Sequence, residues 1–250
     1  MKREIYLPAL GIVSGELMMF FGKVNIGLPI HIINLQLICF ALIFSNFQPD
    51  VKKVLQSMIL LILMRIISLM MPQFFTVTLL WYVLINGVMF IPIYIIIKNQ
   101  EISLSELGIN FKHLRIYIPI ALIIGMAFAA LEYRILDPLA LIENIQLSNI
   151  VKIAIVMFVF IVAIEELVFR SILQTRLEKV IGLNNGLLVT GILFGIMHSV
   201  YGQINEILLA SIFGIIIGYI FQKTRSFPFI LAINGTSNML LFGILPILIK

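Results

Sequence analysis

Residues 150–173, IVKIAIVMFVFIVAIEELVFRSIL, decide how this chain is read. The run is long enough to cross a bilayer, which takes about 20 apolar residues. Near its end stand Glu165 and Glu166, followed one helical turn later by Arg170. A charged side chain at mid-membrane costs roughly 2.5–3.5 kcal/mol on insertion scales, so such groups face a protein-lined interior and mark function.

The whole chain agrees with a membrane setting. Of its 250 residues 61% are hydrophobic and only 12% charged, with a mean hydropathy of +1.13. Soluble domains carry about 25% charged residues. No stretch is long and polar enough to form a separate soluble domain, and the expected class is an all-α polytopic membrane protein. Nine apolar runs are candidate spans, at about 5–22, 27–47, 54–72, 74–97, 115–131, 150–173, 186–199, 205–222 and 227–249, so eight or nine transmembrane helices are expected. The organisation expected is an N-terminal set of four helices with an interfacial loop over 1–114, then five helices over 115–250, with spans six to nine as a four-helix core. No small-residue cleavage site follows the first run, which is read as a retained helix rather than a signal peptide.

With the N-terminus inside, eleven of the 17 Lys and Arg residues fall in inner segments and four in outer ones, while Arg65 and Arg170 lie within spans. That asymmetry predicts an inside N-terminus and an outside C-terminus. It also explains the net charge of +5 without invoking nucleic acid. The segment from Lys98 to Arg115 is amphipathic and is expected at the inner interface, and the segment from Glu132 to Lys152 is expected as an outer connection. Cys39, the only cysteine, excludes an intrachain disulfide and reads as a packed thiol. Glu16 and Arg65, each about 11 residues from the inner end of its span, are expected to pair at mid-membrane.

Three polar clusters carry the chemistry. Residues four apart share a helix face, whereas adjacent ones diverge by about 100°. Glu166 therefore pairs with Arg170, and Glu165 points elsewhere, open to take a proton from water. The bland alternative is a charge network locking two helices. His198, in Phe194-Gly-Ile-Met-His198, is either a hydrogen-bonded packing residue or a partner in catalysis. Asn234 and Asn238 share one face of the ninth span, as interhelical glue or as donors to an oxyanion. His31 and His113 lack acidic or amide neighbours at helical spacing and read as packing residues. With a rise of 1.5 Å per residue, Glu165 lies roughly 12–15 Å from the inner end of its span, His198 about 18 Å, and Asn234 to Asn238 about 10–17 Å. Common depth favours one site. The patterns Gly191-x-x-x-Gly195 and Gly214-x-x-x-Gly218 allow spans six to nine to pack closely around it.

Glu-Glu-x-x-x-Arg, then Phe-x-x-x-His, then polar-x-x-x-Asn, in this order over about residues 150–245, resembles the CPBP family, the CAAX prenyl protease and bacteriocin-processing group also called Abi proteins. The resemblance implies an intramembrane endopeptidase whose cavity opens toward the cytoplasm. It implies that Glu165 activates water with His198, that Glu166 and Arg170 orient and tune the site, and that Asn238 donates to the tetrahedral oxyanion. The third motif usually begins with histidine, where this chain has Asn234. Asparagine can still donate to an oxyanion, but zinc takes His, Cys and carboxylate ligands. Only Glu165, Glu166 and His198 then remain for a metal, so a divalent ion such as zinc is weakened as a cofactor.

The expected partners are a membrane-associated peptide or lipidated protein and the bilayer itself, in the plasma membrane if the host is prokaryotic. The expected substrate is of CAAX or leader-peptide type. Two other readings stay open. One is a scaffold or immunity protein that keeps the fold without catalysis, which Asn234 favours. The other is an ion-coupled transporter, since buried carboxylates also line ion pathways.

Overall fold

A single sequence feature explains the longest element. Between residues 147 and 181 there is neither glycine nor proline, and one uninterrupted helix results, Leu147–Ile181. It stops where Gly182 takes a left-handed φ of 89°. The computed structural model describes residues 2–71 and 78–249, and all regular structure among them is helical. In chain order the helices are α1 (Lys2–Phe20), α2 (Val24–Phe44) and α3 (Pro49–Ser68), then α4 (Leu79–Asn99) and α5 (Leu114–Leu136). α6 (Leu147–Ile181) and α7 (Leu183–Tyr201) follow, and then α8 (Ile204–Thr224) and α9 (Phe227–Leu248). Each falls on one of the expected spans, and the protein is an all-α polytopic membrane protein. The span edges expected at residues 72 and 74, and Lys250, lie outside the described residues.

Seven of these helices are long and apolar enough to cross a membrane by length and composition. α1 and α3 fall short because they carry more charge, including Glu16 and Arg65. Those two side chains neutralise one another: Arg65 Nε and Nη2 donate to the two Glu16 carboxylate oxygens at 2.6 and 2.7 Å. Both residues are buried, Glu16 fully. The expected Glu16–Arg65 pair is present, and it is what lets α1 and α3 stay inside the bundle despite their charge.

α3 is the central strut. Val54, Leu55, Met58, Leu60, Leu61 and Ile62 are all closed off within the core. α2 lies at the periphery, where Leu37, Phe40 and Phe44 face outward as lipid-facing side chains do. Cys39 is exposed on that same surface. The expectation of a packed thiol is therefore corrected, because the helix turns this face away from the bundle.

Glycine sets the closest helix contacts. A Cβ at Gly195 would stand 2.6 Å from the Ile207 carbonyl oxygen, and one at Gly191 2.5 Å from Ile215 Cγ1, so α7 and α8 meet backbone to backbone. Gly11 and Gly15 of α1 likewise receive Asn34 and His31 of α2. His31 is fully buried, with Nε2 3.2 Å from Glu16 Oε1, so it is a packing residue with an acidic neighbour that sequence spacing did not reveal.

One face of the bundle is closed by polar bonds. Residues 100–113 form turns rather than a helix, with Ile102 and Leu107 buried. Gln100 Nε2 donates to the Lys53 carbonyl and its Oε1 accepts from Arg176 Nε at 2.8 Å. Arg176 and Lys179 both reach Glu106 at 3.1 Å. Glu178 accepts from Gln174, Gln222 and Arg225. Gly108 has a φ of 79° and lies so close to the Phe221 ring that any Cβ would clash, while its carbonyl caps Phe227 N at 2.7 Å.

Two outcomes follow. Replacing Arg65 with Met leaves Glu16 charged and buried, which costs about 3–5 kcal/mol when one partner of a buried pair is removed. Thermal unfolding in detergent should show that loss, with part of it restored in the Glu16→Gln/Arg65→Met double variant. Desolvation alone would raise the Glu106 carboxyl, but hydrogen bonds from Lys179 and Arg176 hold it down to about 2, below its ordinary 4.5. Because the folded value is the lower one, the stabilisation is full above about 4.5 and disappears as pH falls through about 2. Amide exchange at residues 103–107 should accelerate across that acid window and not between neutrality and pH 5.

Candidate active site

α6 is not uniformly α-helical. Two π-helical stretches, Val156–Val162 and Leu167–Gln174, flank one α-helical turn, Ala163–Glu166. Such widened turns recur at functional sites because they re-aim side chains that an unbroken α-helix would carry elsewhere. The turn between them carries both glutamates, and it separates them as the 100° step predicts. Glu166 is fully buried, whereas Glu165 is partly open and lines a cavity of about 670 Å³.

Glu166 Oε1 accepts from Arg170 Nη1 at 3.0 Å, the i,i+4 ion pair expected from the sequence. Arg170 is itself sealed off, with its guanidinium carbon 4.2 Å from the centre of the Phe194 ring. Asn234 supplies the link between the carboxylates: its Nδ2 donates to Glu166 Oε1 at 2.7 Å and to Glu165 Oε2 at 3.2 Å. Asn238, one turn on, donates to Asn234 Oδ1 at 2.7 Å and to its carbonyl at 3.1 Å. A chain of hydrogen bonds thus runs from Asn238 to Asn234 and branches there to Glu165 and Glu166, with Arg170 at the buried end beyond Glu166.

His198 stands on the same cavity. The α-helical part of α7 ends at Ile196, so His198 lies in the turn before the short 3₁₀ segment Ser199–Tyr201 rather than within a helix. Its Nδ1 is 2.9 Å from the Phe194 carbonyl. A carbonyl only accepts, so Nδ1 carries the hydrogen and Nε2 keeps its lone pair. The residues on either side are clamped from the N-terminal helices: Arg65 Nη2 donates to the Met197 carbonyl, and Ser199 Oγ donates to Glu16 Oε2. The Glu16–Arg65 pair therefore fixes the turn that presents His198.

The structure brings Glu165, His198, Asn234 and Asn238 to one cavity and leaves Glu166 and Arg170 behind its wall. Further polar side chains line it, among them Arg65, Ser68, Tyr82, Asn86, Glu132, Tyr201 and Glu206. The sequence reading placed Glu132 at the start of a loop, but α5 continues to Leu136 and keeps Glu132 on the face of Phe128, four residues earlier. That i,i+4 spacing was the available signal. Glu206, in the first turn of α8, is 1% exposed and hydrogen-bonded to Glu132, with Oε2 left without a partner.

A metal of the kind the family resemblance implies fits this site poorly. Among the described residues no group of three or more His, Cys, Asp or Glu side chains stands together as ligands. The place beside both glutamates is filled by Asn234 Nδ2, an N–H donor, while its Oδ1, the atom able to ligate a cation, accepts from Asn238.

Residues 147–240 match a family model described as Rce1-like, type II CAAX prenyl endopeptidase. The match supports the CPBP family for this chain. Neither the curated proteins nor the solved structures gave a match.

The buried end of the hydrogen-bond chain yields its own expectation. Arg170→Met strands Glu166 without its cation, and loss of one partner from a buried pair costs about 3–5 kcal/mol. The variant should unfold at markedly lower temperature in detergent, whereas Asn238→Ala, at the open end, should shift it little.

Proposed function

We propose that this CPBP-family chain is an intramembrane endopeptidase that hydrolyses a membrane-proximal peptide bond with a carboxylate-activated water. The observation that carries this reading is the Asn234 amide bridging Glu165 and Glu166, with Glu166 tied to Arg170 and Glu165 left facing the cavity. One carboxylate is consumed by structure and its neighbour is held, by a single hydrogen bond, beside open space. That division of labour suits a general base, which must be oriented yet free to take a proton.

The steps balance on the chain's own residues. Glu165 accepts a proton from water as the water oxygen bonds to the scissile carbonyl carbon. The carbonyl π pair moves to oxygen, and the tetrahedral oxyanion is met by donors at the cavity wall. Asn238 is the candidate donor, exchanging a bond to Asn234 for one to the oxyanion. Collapse restores the carbonyl and breaks the C–N bond, and the proton held by Glu165 passes to the departing amine. His198, with its Nε2 lone pair free, orients the attacking water by accepting its second hydrogen. Glu166 and Arg170 position Glu165 through Asn234 and do not touch the substrate.

The substrate is a membrane-associated peptide, of CAAX or leader-peptide type, cleaved within a multi-pass protein of the cell membrane if the host is prokaryotic. The distribution of basic loops supports an N-terminus in the cytoplasm and a C-terminus outside.

General-base removal typically costs 10²–10⁴-fold, so Glu165→Gln should lower kcat by about that factor in liposomes supplied with a peptide panel, with thermal stability retained. Loss of one oxyanion donor costs about 10²–10³-fold, and Asn238→Ala should fall in that range with KM little changed. If wild-type protein cleaves nothing that Glu165→Gln does not, and Glu165→Gln keeps the cellular phenotype, the scaffold reading replaces this one.

A further inference from the structure

The cavity has a direction. Its lining includes Gly22 and Val24 between and at the ends of α1 and α2, Leu141 in the connection from α5 to α6, and Val200 and Tyr201 at the end of α7. Gly22, Val24, Val200 and Tyr201 are exposed. Following the helices, all of these sit on one face of the bundle, the face that also holds the connection 202–203. Toward the other face the cavity ends at Phe169 and Asn234. At that level stands the buried Glu166–Arg170 pair, and below it lie the Gln174–Glu178 and Gln100–Arg176 hydrogen bonds. The second face is closed and the first is open.

The closed face is also the basic one. It carries the loops with Lys52 and Lys53, Lys98, Lys112 and Arg115, Arg176 and Lys179, and Lys223 and Arg225. The open face carries Lys23, Arg134 and Lys152 among the described residues. Short basic loops are retained on the cytoplasmic side of a membrane. A cavity opening toward the cytoplasm, as the family resemblance implies, and basic loops in the cytoplasm cannot both hold for this geometry. The charge distribution belongs to this chain's own residues, and it decides.

We infer that the cavity is entered from the extracytoplasmic face, so that the substrate of the proposed peptidase is a peptide segment exposed on, or translocated to, that side of the membrane. The identity of the substrate's side rests on the peptidase reading; the side from which the cavity is entered does not, and can be measured without any cleavage. Of the two substrate types proposed above, this entry side selects the leader-peptide type: the processed segment of an exported precursor can reach Glu165, whereas a CAAX-type peptide anchored by lipid in the cytoplasmic leaflet cannot.

The experiment is cysteine accessibility in intact cells, in a Cys39→Ser background that removes the one native thiol. Three positions are compared with a membrane-impermeant thiol reagent: Glu143→Cys on the open face, Ser105→Cys on the closed face, and Leu209→Cys within the cavity. The expected result is labelling of Glu143→Cys and Leu209→Cys in intact cells, with Ser105→Cys labelled only after permeabilisation. Labelling of Ser105→Cys alone in intact cells would show the inverted orientation and overturn the inference. Labelling of Glu143→Cys with Leu209→Cys protected until permeabilisation would overturn it too, because the cavity would then be served from the other side. Either result leaves the activity of Glu165→Gln to be judged separately.

Discussion

Glu166 can be buried inside the bundle only because Arg170 and Asn234 reach it. The guanidinium supplies the opposite charge and the amide supplies a further donor, both to Oε1. In a low-dielectric interior an unpaired charge is the costliest group a fold can hold. The rest of the arrangement answers to that requirement. α9 must approach α6 closely enough for Asn234 to bond, and Arg170 must be enclosed, which Phe169, Phe194 and the Gly214 carbonyl accomplish. Glu165 then inherits a fixed neighbour in Asn234 while keeping its own open side.

A second buried pair does the same work from the other half of the chain. Glu16 and Arg65 bind each other, and their remaining valences go to Met197 and Ser199 on both sides of His198. The N-terminal helices, which match no motif, are thereby built into the site. Their contribution is placement: α1 and α3 hold the turn that ends α7, and the Phe194 carbonyl fixes the histidine tautomer. Glu16 and Arg65 thus hold this turn as well as each other.

Much of this was legible in the sequence for physical reasons. The apolar runs located all nine helices found among the described residues because a bilayer selects length and hydropathy so strongly. The Glu166–Arg170 pair followed from i,i+4 geometry, and the α7–α8 contact from glycine spacing. What escaped detection depended on three-dimensional context. The π-helical turns of α6 leave no composition signal, since apolar residues fill α and π turns alike. Cys39 was misplaced because an apolar run does not say which face meets lipid. Glu132 was lost by ending α5 at 131, five residues before the helix stops. The bond from Asn234 to both glutamates joins residues 69 and 68 apart, and no local pattern encodes it. The substitution that seemed a departure from the family motif turns out to be the hinge of the network.

The most direct measurement is an experimental structure with a peptide analogue whose scissile group is a tetrahedral phosphinate. One phosphinate oxygen should lie within hydrogen-bond distance of Glu165 and the other within reach of Asn238, with the peptide entering past Tyr201. An analogue seated outside the cavity, or one whose phosphinate contacts neither residue, would contradict the account.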